Sequence, residues 1–342
     1  MSSAILDSAA PSLVTVTGGF AGTRRSQFPA VRPPGYFSAD ADPAAIQAFY
    51  AANGYLVLEN GFSPAEVEAL KRETTLICRG DRGELPDHPK ADAAEPDDSV
   101  LSRFLCVHFP HKCSEVMLAT VHSAPTVAAL TTVIGPNVKC MQSMLFIKSS
   151  GKPGQAWHQD EDYIPTRDRS LTGAWIAIDR ATTDNGCLWV IPGSHCPGVL
   201  WAQRWHGDRQ FDCAEESFGF TYTDDQAIPV EVEAGSVVLF NGYLLHRSLP
   251  NRAPAGTYRR SLVNHFMSCE SHLPWGKPPE GEHVAHFDFR DVIVVAGRDP
   301  YAWKGYVNVH TPSVRPSGQG GCGKWGGDKN KYQDEIAAGE KR

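Results

Sequence analysis

The feature that most constrains the fold of this chain is a change in the pattern of its apolar residues near residue 137. From there on, short β-prone runs recur at 138–148, 171–178, 187–191, 230–232, 237–240 and 258–267. Turn-forming pairs such as Asn185-Gly186, Pro192-Gly193 and Ala234-Gly235 separate them. Many short strands divided by turns predict an antiparallel jelly roll, the double-stranded β-helix.

The residues before this point follow a helical pattern. A helix can begin at Pro43, and a strand-like run follows at 54–58. Residues 63–66, Ser-Pro-Ala-Glu, form a capping box with proline at the first helical position. Residues 80–100 are charged and contain prolines, which predicts a loop, and a second helical region is expected at 113–134. The helical region, 39–135, is expected to pack on the jelly roll.

A chain of 342 residues would suit two average domains or one large β-rich domain with elaborations. We predict a mainly β fold with helices, organised as a single catalytic domain over 39–311. Residues 196–228 look like an insertion between core strands. A flexible arm, 1–38, is rich in Ser, Ala, Gly and Pro, and a Gly-rich and then charged tail covers 312–342.

Composition argues against several classes of function. The net charge is −7 with both signs mixed along the chain, which argues against a nucleic-acid partner. There is no unbroken run of about 18 apolar residues, so no membrane span is expected. The nine cysteines are odd in number and form no C-x-x-C pair, which favours a reducing compartment. With no secretory signal in view, a cytoplasmic location is expected.

One short segment interrupts the apolar runs with polar residues that a buried sheet does not need. The segment "AWHQDEDYIP" places His158 and Asp160 two positions apart, directly after a β-prone run. Residues i and i+2 of a strand point to the same face, so both side chains are expected in one cavity, with Gln159 turned away. Two such ligands and one further histidine form the facial triad that holds non-haem Fe(II) and leaves coordination positions open.

A third ligand has to come from a distant strand. His246 is the leading candidate, since it closes the apolar run 237–245. Shortly afterwards, Arg259 and Arg260 open the next β-prone run. An arginine binds a carboxylate through two parallel hydrogen bonds, so an arginine beside an Fe(II) triad predicts a dicarboxylate co-substrate. Only one of the two arginines can face inward, and strand alternation alone does not decide which.

Five blocks of sequence carry a resemblance to a known family. They are, in order, "GPNVKCMQSMLFIK", "WHQDEDYIP", "GAWIAIDRATTDNGCLWVIPGSH", "LLHRS" and "YRRSLVNHF". In this order and spacing the blocks resemble the phytanoyl-CoA dioxygenase family of Fe(II)/2-oxoglutarate-dependent oxygenases. The resemblance runs from about residue 135 to residue 267, with a weaker match in the helical region before it. A lone His-x-Asp carries little information, whereas the five blocks together are specific.

The resemblance implies a jelly-roll core and roles for particular residues. The residues that match the iron ligands are His158, Asp160 and His246. Those that match positions around 2-oxoglutarate are Arg259 and Ser248 at its distal carboxylate, with Met144 and Trp175 lining the pocket. The match prefers Arg259 over Arg260. The implied cofactors are Fe(II), 2-oxoglutarate as co-substrate and O2. Asp160 also argues against halogenases of similar fold, which carry a small residue in its place.

The implied reaction converts 2-oxoglutarate to succinate and CO2 and oxidises, most simply by hydroxylation, an unactivated C–H bond. The family acts on acyl-CoA esters, amino acids and specialised metabolites. The chain ends in Gly-Glu-Lys-Arg rather than in a peroxisomal tripeptide, so a small metabolite is expected. Two alternatives stay open, a metal-binding sensor without turnover and hydroxylation of an acyl-CoA ester. The roles of Asp162, Tyr163 and His265 and the oligomeric state are left undecided.

Overall fold

The helix signals in the first third of the chain are confirmed in the computed structural model, which describes residues 34–86, 88–166, 168–212, 215–271, 292–305 and 310–317. Helix α1 (Pro43–Asn53) begins where the Asp42 side chain accepts a hydrogen bond from the Ala44 amide, and it ends at a left-handed glycine. Helix α2 (Pro64–Arg79) carries the predicted capping box between Ser63 and Glu66.

The other helices are short. They are α3 (Asp97–Ser102), α4 (Glu115–Val121), α5 (Ala124–Val133) and α6 (Asp160–Tyr163). The predicted loop at 80–100 is therefore wrong at its end, because Val100 and Leu101 are buried and anchor α3 to the core.

One described stretch, Glu115–Val133, has the length and the mean hydropathy, 1.4, of a membrane span. In the structure this stretch is two helices, α4 and α5, of 7 and 10 residues. A span needs about 20 helical residues in one piece. The buried Met117 and Leu130 pack instead into the core beneath the large sheet.

The strands form two main sheets. In chain order they are β1 (Tyr36–Phe37), β2 (Tyr55–Leu58), β3 (Phe104–His108), β4 (Val138–Ser149), β5 (Gln155–His158), β6 (Thr172–Ala177), β7 (Leu188–Val190), β8 (Gln203–Trp205), β9 (Glu215–Ser217), β10 (Ile228–Val230), β11 (Val237–Asn241), β12 (His246–Ser248), β13 (Tyr258–Ser268), β14 (Ile293–Ala296) and β15 (Ser313–Pro316). The large sheet runs β1-β2-β11-β6-β13-β4-β3-β15, with β14 also on β4, and the small sheet runs β10-β7-β12-β5.

The large sheet separates two apolar layers. Leu145 and Leu262 on its outer face pack with the helices, as the helical region was expected to do. Trp175 and Val263 on its inner face pack with Val190 of the small sheet. Two facing sheets with helices on the outer side of one of them confirm the predicted jelly roll. The space between the sheets is where inward-facing polar side chains meet.

The ends of the domain are more ordered than the composition suggested. Strand β1 lies inside the predicted arm and pairs with β2, and β15 lies inside the predicted tail and pairs with β3. The remainder of the arm up to residue 33, and of the tail from residue 318, lies outside the described residues. Strand β3 was not predicted. Within the predicted insertion, β8 and β9 form a separate hairpin.

Candidate metal centre and dicarboxylate pocket

Three predicted ligands meet where β5 and β12 pair. His158 ends β5 and His246 begins β12, and the two residues lie directly opposite each other in an antiparallel register. The Nε2 atoms of His158 and His246 lie 3.7 and 3.6 Å from Asp160 Oδ1. The three ligand atoms all lie within 4.8 Å of one another. The geometry thus brings two imidazoles and one carboxylate to a single point.

The backbone from His158 to Asp160 does not form the continuous strand that was predicted. Strand β5 ends at His158, and Asp160 opens the one-turn helix α6 instead of continuing the strand. The residue between them is buried: the Gln159 amide donates to the carbonyls of Val199 and Tyr243. Gln159 therefore anchors the turn that aims Asp160 at the two histidines.

The orientation of both rings favours metal binding through Nε2. His158 Nδ1 lies 2.7 Å from the Ala156 carbonyl, and His246 Nδ1 lies 3.0 Å from the Leu244 carbonyl. Each Nδ1 therefore carries the proton, which directs the Nε2 lone pair to the centre. Burial, with His158 as the next cause, lowers the pKa of His246 to about 4, so this imidazole is neutral at physiological pH.

The charge state of Asp160 also suits a ligand. Burial opposes its ionisation, but His246, His265 and His158 outweigh this and hold the pKa of its carboxyl well below the usual range. Two imidazoles and one carboxylate are the donor set of the facial triad that binds Fe(II). The residues present therefore fit the iron that such a triad implies.

Gly173 leaves space for the ring of Phe240, which packs against the candidate ligand His246. A Cβ on Gly173 would lie 2.4 Å from the Phe240 ring, which occupies the space above it. The same ring packs against His246, with ring centroids 4.7 Å apart. Gly173, Phe240 and His246 thus form a packed stack that fixes the imidazole of His246. No motif in the sequence indicated a role for Gly173 or Phe240.

Three of the four residues expected around the co-substrate, Met144, Trp175 and Arg259, face the same side of the large sheet. Met144 pairs with Val263, which pairs with Trp175, so the three share one face. Arg259 is the second residue of the strand that carries Val263, four positions earlier, and its guanidinium carbon lies 5.6 Å from the centre of the Trp175 ring. Ser248, two residues after His246, is buried on the small sheet opposite.

Arg259 is held in place and remains charged. Its Nε–H donates to the Gly186 carbonyl at 3.1 Å, and one terminal nitrogen donates to Ser261 Oγ at 2.8 Å. Its side chain is 3% exposed. Burial lowers the pKa of this guanidinium to about 10, which leaves it cationic at neutral pH.

The adjacent arginine points to the opposite side. Arg260 makes two hydrogen bonds to the Asp179 carboxylate, at 2.8 and 2.7 Å. Arg260 is therefore already paired with a carboxylate. Of the two arginines that strand alternation left open, Arg259 is the one that faces inward.

A lysine that the sequence search missed lies beside Arg259. Lys148 faces Arg259 across the β4–β13 register, and its ammonium donates to Ser248 Oγ at 2.9 Å and to the Leu249 carbonyl at 2.8 Å. Both cations line one cavity with Gln155 and Asp212. The signal was present in the sequence, because Lys148 shares strand parity with Met144 in the β-prone run 138–148.

Four further residues of the five sequence blocks have separate positions. Glu161 is buried and accepts a hydrogen bond from the Thr166 hydroxyl at 2.7 Å, which indicates a structural role. Tyr163 is 38% exposed, with its ring centroid 6.4 Å from that of His158. His265 Nε2 lies 3.0 Å from Asp160 Oδ2. His195 bonds to the Ala51 carbonyl of α1 and lies outside the metal cluster.

A jelly roll with this triad defines the class of non-haem Fe(II) oxygenases. The chain belongs to the phytanoyl-CoA dioxygenase family, since the model of that family, Phytanoyl-CoA dioxygenase (PhyH), matches residues 50–261. It is accordingly an Fe(II)/2-oxoglutarate-dependent oxygenase.

Named relatives agree with this. Phytanoyl-CoA dioxygenase 1 of Oryza sativa subsp. japonica is 29% identical over 259 residues, covering 67% of this chain and 90% of the relative. The peroxisomal phytanoyl-CoA dioxygenase of Homo sapiens is 27% identical over 237 residues, covering 66% and 68%.

Among solved structures, the non-haem monooxygenase ThoJ, in its apo form, has a TM-score of 0.56 at 19% identity, covering 74% of this chain and 84% of its own. The epimerase SnoN, in complex with Fe3+, alpha ketoglutarate and nogalamycin RO, has a TM-score of 0.52 at 18% identity, covering 71% and 93%. At these identities the similarity concerns the fold.

Proposed function

We propose that this oxygenase hydroxylates an unactivated C–H bond of a small-molecule metabolite, with 2-oxoglutarate converted to succinate and CO2. The observation that carries the proposal is the pairing of two sites between the sheets. His158, Asp160 and His246 form a three-ligand centre, and Arg259 with Lys148 forms a buried cationic pocket nearby. A metal that must bind a co-substrate and O2 needs open positions, and three protein ligands leave them.

The cationic pocket supports a dicarboxylate in particular. Two basic side chains, Arg259 and Lys148, are buried in one wall. The carboxylate that lines the same cavity, Asp212, pairs with Arg315 at 3.3 Å, and no described ion pair joins it to Arg259 or Lys148. Buried charges are stable only when paired. The distal carboxylate of 2-oxoglutarate supplies the missing charge, and we assign Ser248 to the same group because Lys148 already bonds to its hydroxyl.

The remaining residues have positioning roles in this proposal. Trp175 lies against the Arg259 guanidinium and restricts its orientation. Met144, in the same cross-strand row, lines the co-substrate pocket. Iron supplies the oxidative chemistry when bound, whereas the chain orients the reactants and excludes water. No general acid or base is required among the residues described.

The proposal is tested by measuring succinate. Protein reconstituted anaerobically with Fe(II) and 2-oxoglutarate is mixed with O2 and candidate metabolites, and we expect a substrate to stimulate succinate formation. The matched control is Asp160→Ala, which removes the carboxylate ligand. Absence of succinate from the wild type, together with unchanged iron affinity in Asp160→Ala, would refute the assignment. Iron and 2-oxoglutarate binding without turnover would instead support a sensor.

A second candidate, hydroxylation of an acyl-CoA ester, is favoured by the names of the rice and human relatives. The two candidates differ in the substrate that stimulates turnover. A panel of CoA thioesters and the corresponding free acids therefore separates them: stimulation by the thioesters alone supports the acyl-CoA reaction. Stimulation by metabolites that lack CoA supports the first proposal.

A further inference from the structure

The two oxygens of Asp160 have different neighbours. Oδ1 lies 3.7 Å from His158 Nε2 and 3.6 Å from His246 Nε2, so it faces the metal centre. Oδ2 lies 3.0 Å from His265 Nε2. One oxygen of the Asp160 carboxylate therefore faces the metal centre, and the other contacts His265.

We propose that His265 is a positioning residue that limits Asp160 to a single ligand oxygen. Its Nε2–H donates to Oδ2, and this hydrogen bond holds Oδ2 towards His265 and disfavours its coordination to the metal. A carboxylate that bound through both oxygens would fill a coordination position that the co-substrate or O2 needs. The inference rests on the metal centre of the proposed function and adds to it the residue that keeps the centre open.

The position of His265 suits this role. It lies on the inner face of β13, opposite Gln142 of β4 and Gly173 of β6, and its side chain is only 4% exposed. The strand register shifts directly after it, between His265 and Phe266, so His265 is the last residue of the regular inner-face row. Because the ring is fixed by strand and burial, its donor has a defined direction.

The tautomer follows from the surroundings. His265 Nδ1 is buried and has no hydrogen-bond partner among the described residues. A carboxylate oxygen accepts hydrogen bonds, so the nitrogen that faces the Asp160 carboxylate, Nε2, carries a proton and donates. His265 is not itself part of the metal cluster, whose members within the described chain are His158, Asp160 and His246. It thus acts on the metal through Asp160.

The test uses two substitutions of His265 whose side-chain amides extend to different distances from the backbone. In His265→Gln the amide nitrogen lies about as far from the backbone as Nε2 does, so the hydrogen bond is preserved. In His265→Asn the amide is too short to reach Oδ2. Gln142→Leu is the matched control, since it removes a buried polar group from the opposite strand in the same row.

The readout is the affinity of nitric oxide for the anaerobic Fe(II)–2-oxoglutarate protein, followed by electron paramagnetic resonance. Nitric oxide needs an open coordination position, and its affinity per bound iron is insensitive to a simple loss of stability. We expect wild type, His265→Gln and Gln142→Leu to behave alike, and the nitric oxide dissociation constant of His265→Asn to rise about 10-fold or more, the range for lost partners of metal ligands.

Two failures are distinguishable. If wild type binds Fe(II) in an Asp160-dependent manner but His265→Asn binds nitric oxide as wild type does, the role of His265 is refuted and the metal centre stands. If wild type binds no Fe(II), the centre itself is wrong and the inference falls with it. A lower melting temperature in His265→Asn with unchanged nitric oxide affinity would mark a structural histidine and would also refute the inference.

Discussion

Replacing Lys148 with methionine tests the dicarboxylate pocket most directly. Methionine keeps most of the length and apolar volume of the lysine stem and removes its charge. Two hydrogen bonds are lost, to Ser248 Oγ and to the Leu249 carbonyl. No described carboxylate loses an ion-pair partner. The substitution therefore isolates what the ammonium contributes to an anion bound beside Arg259.

The size of the effect follows from the burial of the pocket. A hydrogen bond to a charged group contributes about 1.5–3 kcal/mol, and about 1.4 kcal/mol corresponds to a tenfold change in affinity. The KM for 2-oxoglutarate in Lys148→Met should therefore rise about 10- to 100-fold. Burial and the adjacent Arg259 both disfavour the charged lysine. Removing it should consequently leave the melting temperature unchanged or raise it.

The assay is succinate formation by Fe(II)-saturated protein at increasing 2-oxoglutarate, with kcat and KM determined separately. Lys152→Met is the matched control, because Lys152 follows the same strand and bonds instead to the Ser317 hydroxyl. We expect it to leave KM unchanged. A wild-type KM in Lys148→Met, or a fall in melting temperature without a change in KM, would show that Lys148 is structural and would refute the argument.

Three further predictions concern the dicarboxylate pocket and the metal centre. Arg259→Leu should raise the KM for 2-oxoglutarate at least as much as Lys148→Met does, whereas Arg260→Leu should destabilise the fold by about 1–3 kcal/mol and leave KM unchanged; equal KM effects would contradict the assignment. Burial first, and then Arg259, hold the pKa of Lys148 well below its usual value. An incoming dianion raises that pKa again, so binding takes up a proton, and the affinity for 2-oxoglutarate should fall as pH rises through the pKa of the free protein. Calorimetry in two buffers of different ionisation enthalpy measures this uptake, and its absence would contradict the charge argument. Gly173→Ala should displace the ring that packs on His246 and weaken Fe(II) binding, because the added Cβ would lie 2.4 Å from that ring; unchanged iron affinity in a metal titration would show that the packing does not matter.

The sequence was informative wherever local chemistry decides local structure. Residues 63–66 carry a capping box that is satisfied within one turn of chain, and α2 begins there as predicted. The recurring β-prone runs were sufficient to predict the jelly roll, because alternation along a strand reflects which face is buried. The "WHQD" motif was sufficient to indicate His158 and Asp160 as candidate metal ligands, whereas the preference for Arg259 over Arg260 came from the family resemblance.

Tertiary structure decided which side chains meet. Asp160 reaches the two histidines from a one-turn helix and not from a strand, because Gln159 is anchored by backbone groups distant in sequence. Arg260 is excluded from the pocket by Asp179, a partner that no local pattern identifies.

The residues that the sequence left undecided are those whose roles depend on the register between strands. Lys148 becomes part of the pocket because β4 pairs with β13 so that it faces Arg259. His265 touches Asp160 because β13 carries it, on the inner face, towards a carboxylate 105 positions away in the chain. A sequence specifies which side chains a strand presents to a cavity, but only the packing of the two sheets determines which of them lie within hydrogen-bonding distance.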